Sequence, residues 1–429
     1  MRARRSADWL IALAMCGLLA GCATGATVGS DPGDPDQVEV FTSWTSGTDR
    51  VAYKALAGVF LGQNPGIEFI DASVRGSAGS QAREALAARF AAGNPPDTFQ
   101  TEVGGGIAAY VDAGRLRDLT EWYSQNDLAS QVYRTDMMDL LSVDGRLYAV
   151  PSSINRVNVL WANTGLLADA GVGTSAPAAD LDGWLADLAK VRASGIEFPL
   201  ALGEGRTQVE LFENVLIADL GPGAYRKLWT STDGWDAPLV RRALEHYDAL
   251  LGYVDPADSA RGADALVAAV ARGRAAYVVM ADLASGMFED AGLVFGDQYT
   301  GWPTPGTAGT FDFTADAFVL PVGAAHEPSA ERWLLSVASP EGQRVFNLRM
   351  GSIPARVDAD PAGFSDYQQS AMASFAADTL VPSAAHGIAA SRTFSNALED
   401  AVVRFGVDRN SGALIRALTA AAEQELAKK

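Results

Sequence analysis

Val38-Glu39-Val40-Phe41-Thr42-Ser43-Trp44 opens a series of alternating elements that reaches Gln100 and decides the fold class. Val38, Val40 and Phe41 are apolar and partly β-branched, and residues 38–41 read as a buried strand. A turn over 43–49 leads into a helical stretch through Phe60, and a second strand is expected near 67–72. Residues 80–92 read as a helix, with Ala82, Leu86 and Phe90 at i, i+4 spacing and Gly93-Asn94-Pro95-Pro96 as its stop. Residues 98–100 form the next short strand. Strand, helix and strand in alternation predict an α/β protein whose parallel sheet is covered on both faces. The alternation returns with strands at 276–280 and 317–320. The chain ends in helices striped by Phe394, Leu398, Val402 and Phe405 and, after a Ser411 cap, by Leu414, Leu418 and Leu426.

Working outward to the start of the chain, Arg2, Arg4 and Arg5 precede a short apolar run that ends in Leu19-Ala20-Gly21-Cys22. A basic start, an apolar core too short to span a bilayer and small residues before a cut make an export signal. The ending resembles a bacterial lipobox, which implies a signal peptide over 1–21 and lipidation of Cys22. Residues 22–37, rich in Gly, Pro, Asp and Thr, then read as a flexible tether to a membrane surface. In the alternative reading the signal is an ordinary secretory one and Cys22 is incidental.

Composition narrows the function. The 429 residues exceed what one core usually holds, so two lobes are expected. Loss of residues 1–21, with three arginines and one aspartate, takes the net charge from −19 to −21. A chain this acidic, without a Lys/Arg stripe, repels nucleic acid. Cys16 lies in the signal and Cys22 at its end, so no disulfide or thiolate cluster is expected. His246, His326 and His386 are too scattered to suggest a metal site, and no cofactor is expected. After the signal no apolar stretch is long enough to span a bilayer.

Several segments, in this order, resemble family 1 extracellular solute-binding proteins, the sugar-capturing components of bacterial ABC importers. They are Phe41-Thr42-Ser43-Trp44, Asn94-Pro95-Pro96-Asp97-Thr98-Phe99-Gln100, Gly145-Arg146-Leu147-Tyr148-Ala149-Val150-Pro151, Gly273-Arg274-Ala275-Ala276-Tyr277 and Ser339-Pro340-Glu341-Gly342-Gln343. Pro199-Leu200-Ala201-Leu202-Gly203-Glu204, Gly351-Ser352-Ile353-Pro354-Ala355-Arg356 and Ser383-Ala384-Ala385-His386-Gly387 resemble the glucose/galactose-binding members. The resemblance implies a two-lobed periplasmic-binding-protein fold (type II) with a ligand cleft between the lobes. It implies lobe 1 over 38–151 plus about 282–321, lobe 2 over 152–281 plus about 326–405, and a C-terminal helix over 406–429. Crossings are expected near 151–155, 281–283 and 321–325. The implied protein is a monomer that binds a small neutral sugar, makes no covalent change to it and hands it to an ABC permease.

A hexose offers hydroxyls that need partners and C–H faces that suit an aromatic ring. Carboxylates serve well, since one group accepts from two neighbouring hydroxyls. By resemblance, Trp44 is the stacking platform, with core filling as the alternative. Asp49 is an acidic contact in the following loop, or else a first-turn residue of the helix. Gln100 and Asp316 supply an amide and a carboxylate, and His386 aligns with a ligand-binding histidine. Asn155, with Arg156 and Asn158, serves either ligand or hinge. The chain departs from the glucose-binding pattern at Thr45 and Ala263, where aromatics are expected, near Met350, where a lysine is, and at Glu102, where a histidine is. Glu102 adds an acceptor and admits an amino sugar. The alternatives to a sugar importer are a binder of a polyol or amino acid, and a surface-anchored glycoside-active enzyme.

Overall fold

A computed structural model describes residues 36–75, 80–128 and 133–427. The expected signal, Cys22 and the tether up to residue 35 lie outside the described residues. No described helix is long and apolar enough to cross a membrane.

The opening alternation folds as read. Gln37–Phe41 forms β1, Gly47–Gln63 α1, Glu68–Asp71 β2, Ser80–Ala91 α2 and Thr98–Glu102 β3. β1 pairs in parallel with both β2 and β3. Because β1 is buried, its Glu39 needs a partner. Arg89 of α2 donates to both carboxylate oxygens, one at 2.6 Å. Asp97, just before β3, is buried too. It accepts from the amides of Glu39 and His326 at 2.8 Å each and lies 3.0 Å from His326 Nδ1. Asp97→Ala leaves these donors unmatched and is expected to cost about 3 kcal/mol of stability. Urea denaturation followed by tryptophan fluorescence checks this; a loss under about 1 kcal/mol would mean that the donors re-pair.

The chain continues through Ala149–Arg156 (β4), Val159–Asn163 (β5), Leu200–Ala201 (β6), Gly205–Leu228 (α3), Tyr277–Val279 (β7) and Tyr299–Pro303 (β8). Thr310–Val319 (β9), Glu327–Ala338 (α4), Pro340–Met350 (α5), Thr379–Pro382 (β10), Arg392–Asp408 (α6) and Ser411–Leu426 (α7) complete the elements that position the site. A second sheet has the order β8-β5-β7-β6.

β4 and β9 pair as one antiparallel ribbon within the first sheet, from Phe313↔Arg156 to Val319↔Ala149. The first residues of β9 pair with β10, and its last four pair antiparallel with β3. The first sheet is therefore mixed rather than parallel, because β9 enters it from the opposite end. Of the three stretches expected as crossings, 151–155 lies within β4 and 321–325 follows the end of β9.

Two boundaries expected from the sequence also differ. β8 hydrogen-bonds to β5, so the stretch before β9 belongs with the second sheet, not with lobe 1. Phe288 stacks on Tyr299 there, with ring centroids 4.6 Å apart. α4 and α5 pack on the first sheet's side, not on lobe 2: Trp333 meets Phe60 and Phe318, and Phe346 meets Trp44. α6 packs on α3, with Phe394 against Trp229 just past its end, and α7 packs on α6.

Candidate functional site

The ribbon brings a polar face to the middle of the molecule. In an antiparallel ladder, residues directly opposite one another share a face. Glu102 of β3 stands opposite Asp316 of β9, and Asp316 stands opposite Ser153 of β4. One step along, Thr314 stands opposite Asn155. Gln100 completes the set, donating from Nε2 to Asp316 Oδ1 at 2.6 Å. The intervening Ala315, Ala317 and Phe99 point into the core. A strand that is polar on one face and fully buried on the other normally shows water; here the polar face is half-buried.

Burial is the main force on Asp316 and pushes its carboxyl up to about 7. Glu102 and Asp49 push in the same direction, and the Gln100 hydrogen bond opposes them. Asp49, in the first turn of α1, is itself raised by burial. No other residue hydrogen-bonds the side chains of Asp49, Glu102, Thr314 or Asn155 among the described residues. Asn155 is only 6% exposed, and its amide is not engaged by another side chain.

Arg156 and Asn158, by contrast, are engaged inside the protein. Arg156 donates from Nε to Asn158 Oδ1 at 2.9 Å and from Nη2 to the Thr310 carbonyl at 3.0 Å, and its guanidinium lies over Phe311. Asn158 donates to Thr307 Oγ1 and to the Thr310 carbonyl. These two side chains hold the ribbon, which leaves Asn155 as the one open to a ligand.

Trp44 departs from expectation. Its ring packs against Tyr53, Phe318 and Phe346 and is 5% exposed, so in this structure it fills the core instead of offering a face to the cleft. His386 also lies apart from Asp316. Its Nε2 is 3.0 Å from Glu210 Oε1 on α3. Beside it, Glu213 accepts from Tyr225 Oη, from Ser383 Oγ at 2.9 Å and from the amides of Ala384 and Ala385. Burial raises the Glu213 carboxyl, and these bonds oppose the shift.

Asp312 links the two groups. It is wholly buried, with both carboxylate oxygens unpartnered among the described residues, and is raised well above the usual range by burial and then by Glu213 and Glu210. It lies four residues from Asp316 on β9, about 13 Å along the strand. The run Phe311-Asp312-Phe313-Thr314-Ala315-Asp316 carries the same signal that singles out Asp316, an acid between apolar strand residues. Glu210 and Glu213 carry no such signal, since acidic residues on a helix usually face water.

These features define a two-lobed binding protein, with polar side chains gathered on β3, β4 and β9. The chain matches the model of bacterial extracellular solute-binding proteins over residues 42–344. It is 30% identical over 419 residues to an ABC transporter extracellular-binding protein of Pyrococcus horikoshii, covering 94% of each chain. It is also 30% identical over 418 residues to a probable sugar-binding periplasmic protein of Brucella suis, covering 96% of each. The solved structure of a bacterial solute receptor described as exclusive for β-D-galactopyranose has a TM-score of 0.78 at 13% identity, over 90% of this chain and 98% of that one. The chain belongs to the bacterial extracellular solute-binding protein family. It is an extracytoplasmic binding component, not an enzyme.

Proposed function

We propose that the protein captures a glucose-like mono- or short oligosaccharide and delivers it to an ABC permease while tied to the membrane through lipidated Cys22. The observation that supports this reading best is the face shared by Glu102 and Gln100 of β3, Asp316 of β9 and, one row along, Asn155 of β4: acceptors and amides that are largely unengaged. Sugar hydroxyls are the partners such a row lacks, and the Brucella suis relative is described as sugar-binding. Asp49 adds a further acceptor. His386 and Glu210, farther along β9, suit a ligand longer than one ring or a second contact made on closure.

Closure follows from two-sided contact: a ligand that touches both lobes stabilises the form in which both contacts exist. β4 and β9 absorb the rotation, and Arg156 and Asn158 hold their register. Isothermal titration calorimetry of a soluble form against hexoses, pentoses and disaccharides tests the reading, with micromolar dissociation constants expected. Heat from none of them, with the protein folded, would overturn it. Gln100→Ala is expected to weaken the best sugar about tenfold, because the amide both positions Asp316 and donates beside it. Conversion of Cys22 to serine should release the protein from membranes in cell fractionation.

A further inference from the structure

We infer that the sugar this site prefers carries an ammonium group, held between Glu102 and Asp316 with Asp49 close by. The inference rests on the saccharide reading above and narrows it. Glu102 and Asp316 face each other across β3 and β9, about 5 Å apart as a direct cross-strand pair. The charges that act most on Asp316, those of Glu102 and Asp49, are both negative. None of the three carboxylates takes part in an ion pair or accepts from a cationic side chain among the described residues.

Three buried carboxylates elsewhere have donors that match them, whereas Asp312, farther along β9, does not. Glu39 has Arg89, Asp97 has His326, and Glu213 has a tyrosine, a serine and two amides. At the site the complement is missing, and a ligand is what remains to supply it. A neutral sugar would satisfy lone pairs and leave the like-charge repulsion in place. A primary ammonium supplies three donors and the opposite charge, and the carboxylates of a directly opposed pair can share it.

A second observation points the same way without involving charge. Asn155, more than nine-tenths buried, sits on the same sheet face one row from Asp316, and its amide has no hydrogen bond among the described residues. An amide both donates and accepts, so it fits a ring hydroxyl next to the amino-bearing carbon. The combination selects an amino sugar over a simple amine, which has no use for Asn155, and over a plain hexose, which leaves the carboxylates uncompensated.

Matched pairs test this: glucose with glucosamine, galactose with galactosamine, mannose with mannosamine, titrated by calorimetry at pH 7 and low salt, where the amine is still largely charged. In at least one pair the amino sugar should bind tenfold or more tightly, and its N-acetyl derivative should lose that advantage. In Glu102→Gln the ratio within that pair should fall toward one. If a neutral sugar binds and its amino partner binds no better, the inference is overturned while the saccharide reading stands. A preference that survives both N-acetylation and Glu102→Gln also overturns it. If nothing in the panel binds the folded protein, the saccharide reading itself fails.

Discussion

Asp316→Ala is expected to raise the dissociation constant for the bound sugar at least tenfold, the largest effect of any single change at the site. Asp316 is central in its row, flanked by Glu102 and Ser153 and held by Gln100. Its loss removes a charged acceptor and also frees the Gln100 amide. A hydrogen bond to a charged group is worth about 1.5–3 kcal/mol, which is ten- to a hundredfold in affinity. Calorimetry measures it, and unchanged affinity would remove Asp316 from the site.

The same residue gives a pH signature of known sign. Its carboxyl is raised from 3.8 to about 7 in the folded protein. At pH below about 4 it is protonated folded or unfolded and affects stability little. Between about 4 and 7 the unfolded chain ionises it and the folded chain does not, so stability falls as pH rises. Above about 7 the loss is complete. Asp316→Asn removes the term and should melt higher than the parent at pH 8 and near it at pH 4. With solvent reaching the open face, the gain is on the order of 1–3 kcal/mol. Sugar hydroxyls favour the ionised form, so affinity should rise from pH 5.5 to 8. A fall over that range would mean that Asp316 acts as a donor.

The largest loss of stability is expected at Glu213. Glu213→Ala strips partners from the Tyr225 hydroxyl, the Ser383 hydroxyl and the amides of Ala384 and Ala385 at once, in a wholly buried place. Removing one side of such a cluster costs about 3–5 kcal/mol, a melting shift on the order of 10 °C. Tyr225→Phe removes one donor only and should cost about 1 kcal/mol. Differential scanning calorimetry of both variants measures the contrast, and equal losses would show that Tyr225 alone accounts for the effect. Because Ser383 and the two alanines lead directly into His386, Glu213→Ala should also weaken any ligand contact made by that histidine.

Much of the lobe built on β1 to β3 was legible in the sequence, because each element there is local. A short apolar strand, a helix with i, i+4 apolar spacing and a Gly-Asn-Pro-Pro stop need no knowledge of distant residues. Asp316 was legible for a similar reason, as an acid between Ala315 and Ala317. Asp312 carried that signal equally and lay unread between two phenylalanines. The extent of β9 was not legible because a ten-residue strand that pairs with three others of one sheet has no signature of its own. Only its partners, β3, β4 and β10, show where it changes hands. Trp44 lay at a strand end, where an aromatic serves either core or cleft, and Phe346, from far along the chain, decided for the core.

By itself the sequence determined the class: an acidic, two-lobed α/β chain with segments in the order shared by solute-binding relatives. Those properties depend on composition and short-range periodicity. Tertiary structure decided which side chains meet. Cross-strand register set Glu102 against Asp316 and Asn155 against Thr314, buried Glu213 under four donors, and tied Arg156 and Asn158 into the ribbon while leaving Asn155 unengaged. Register and packing are relations between residues far apart in the chain, so the chemistry of the site appears only when those strands lie side by side.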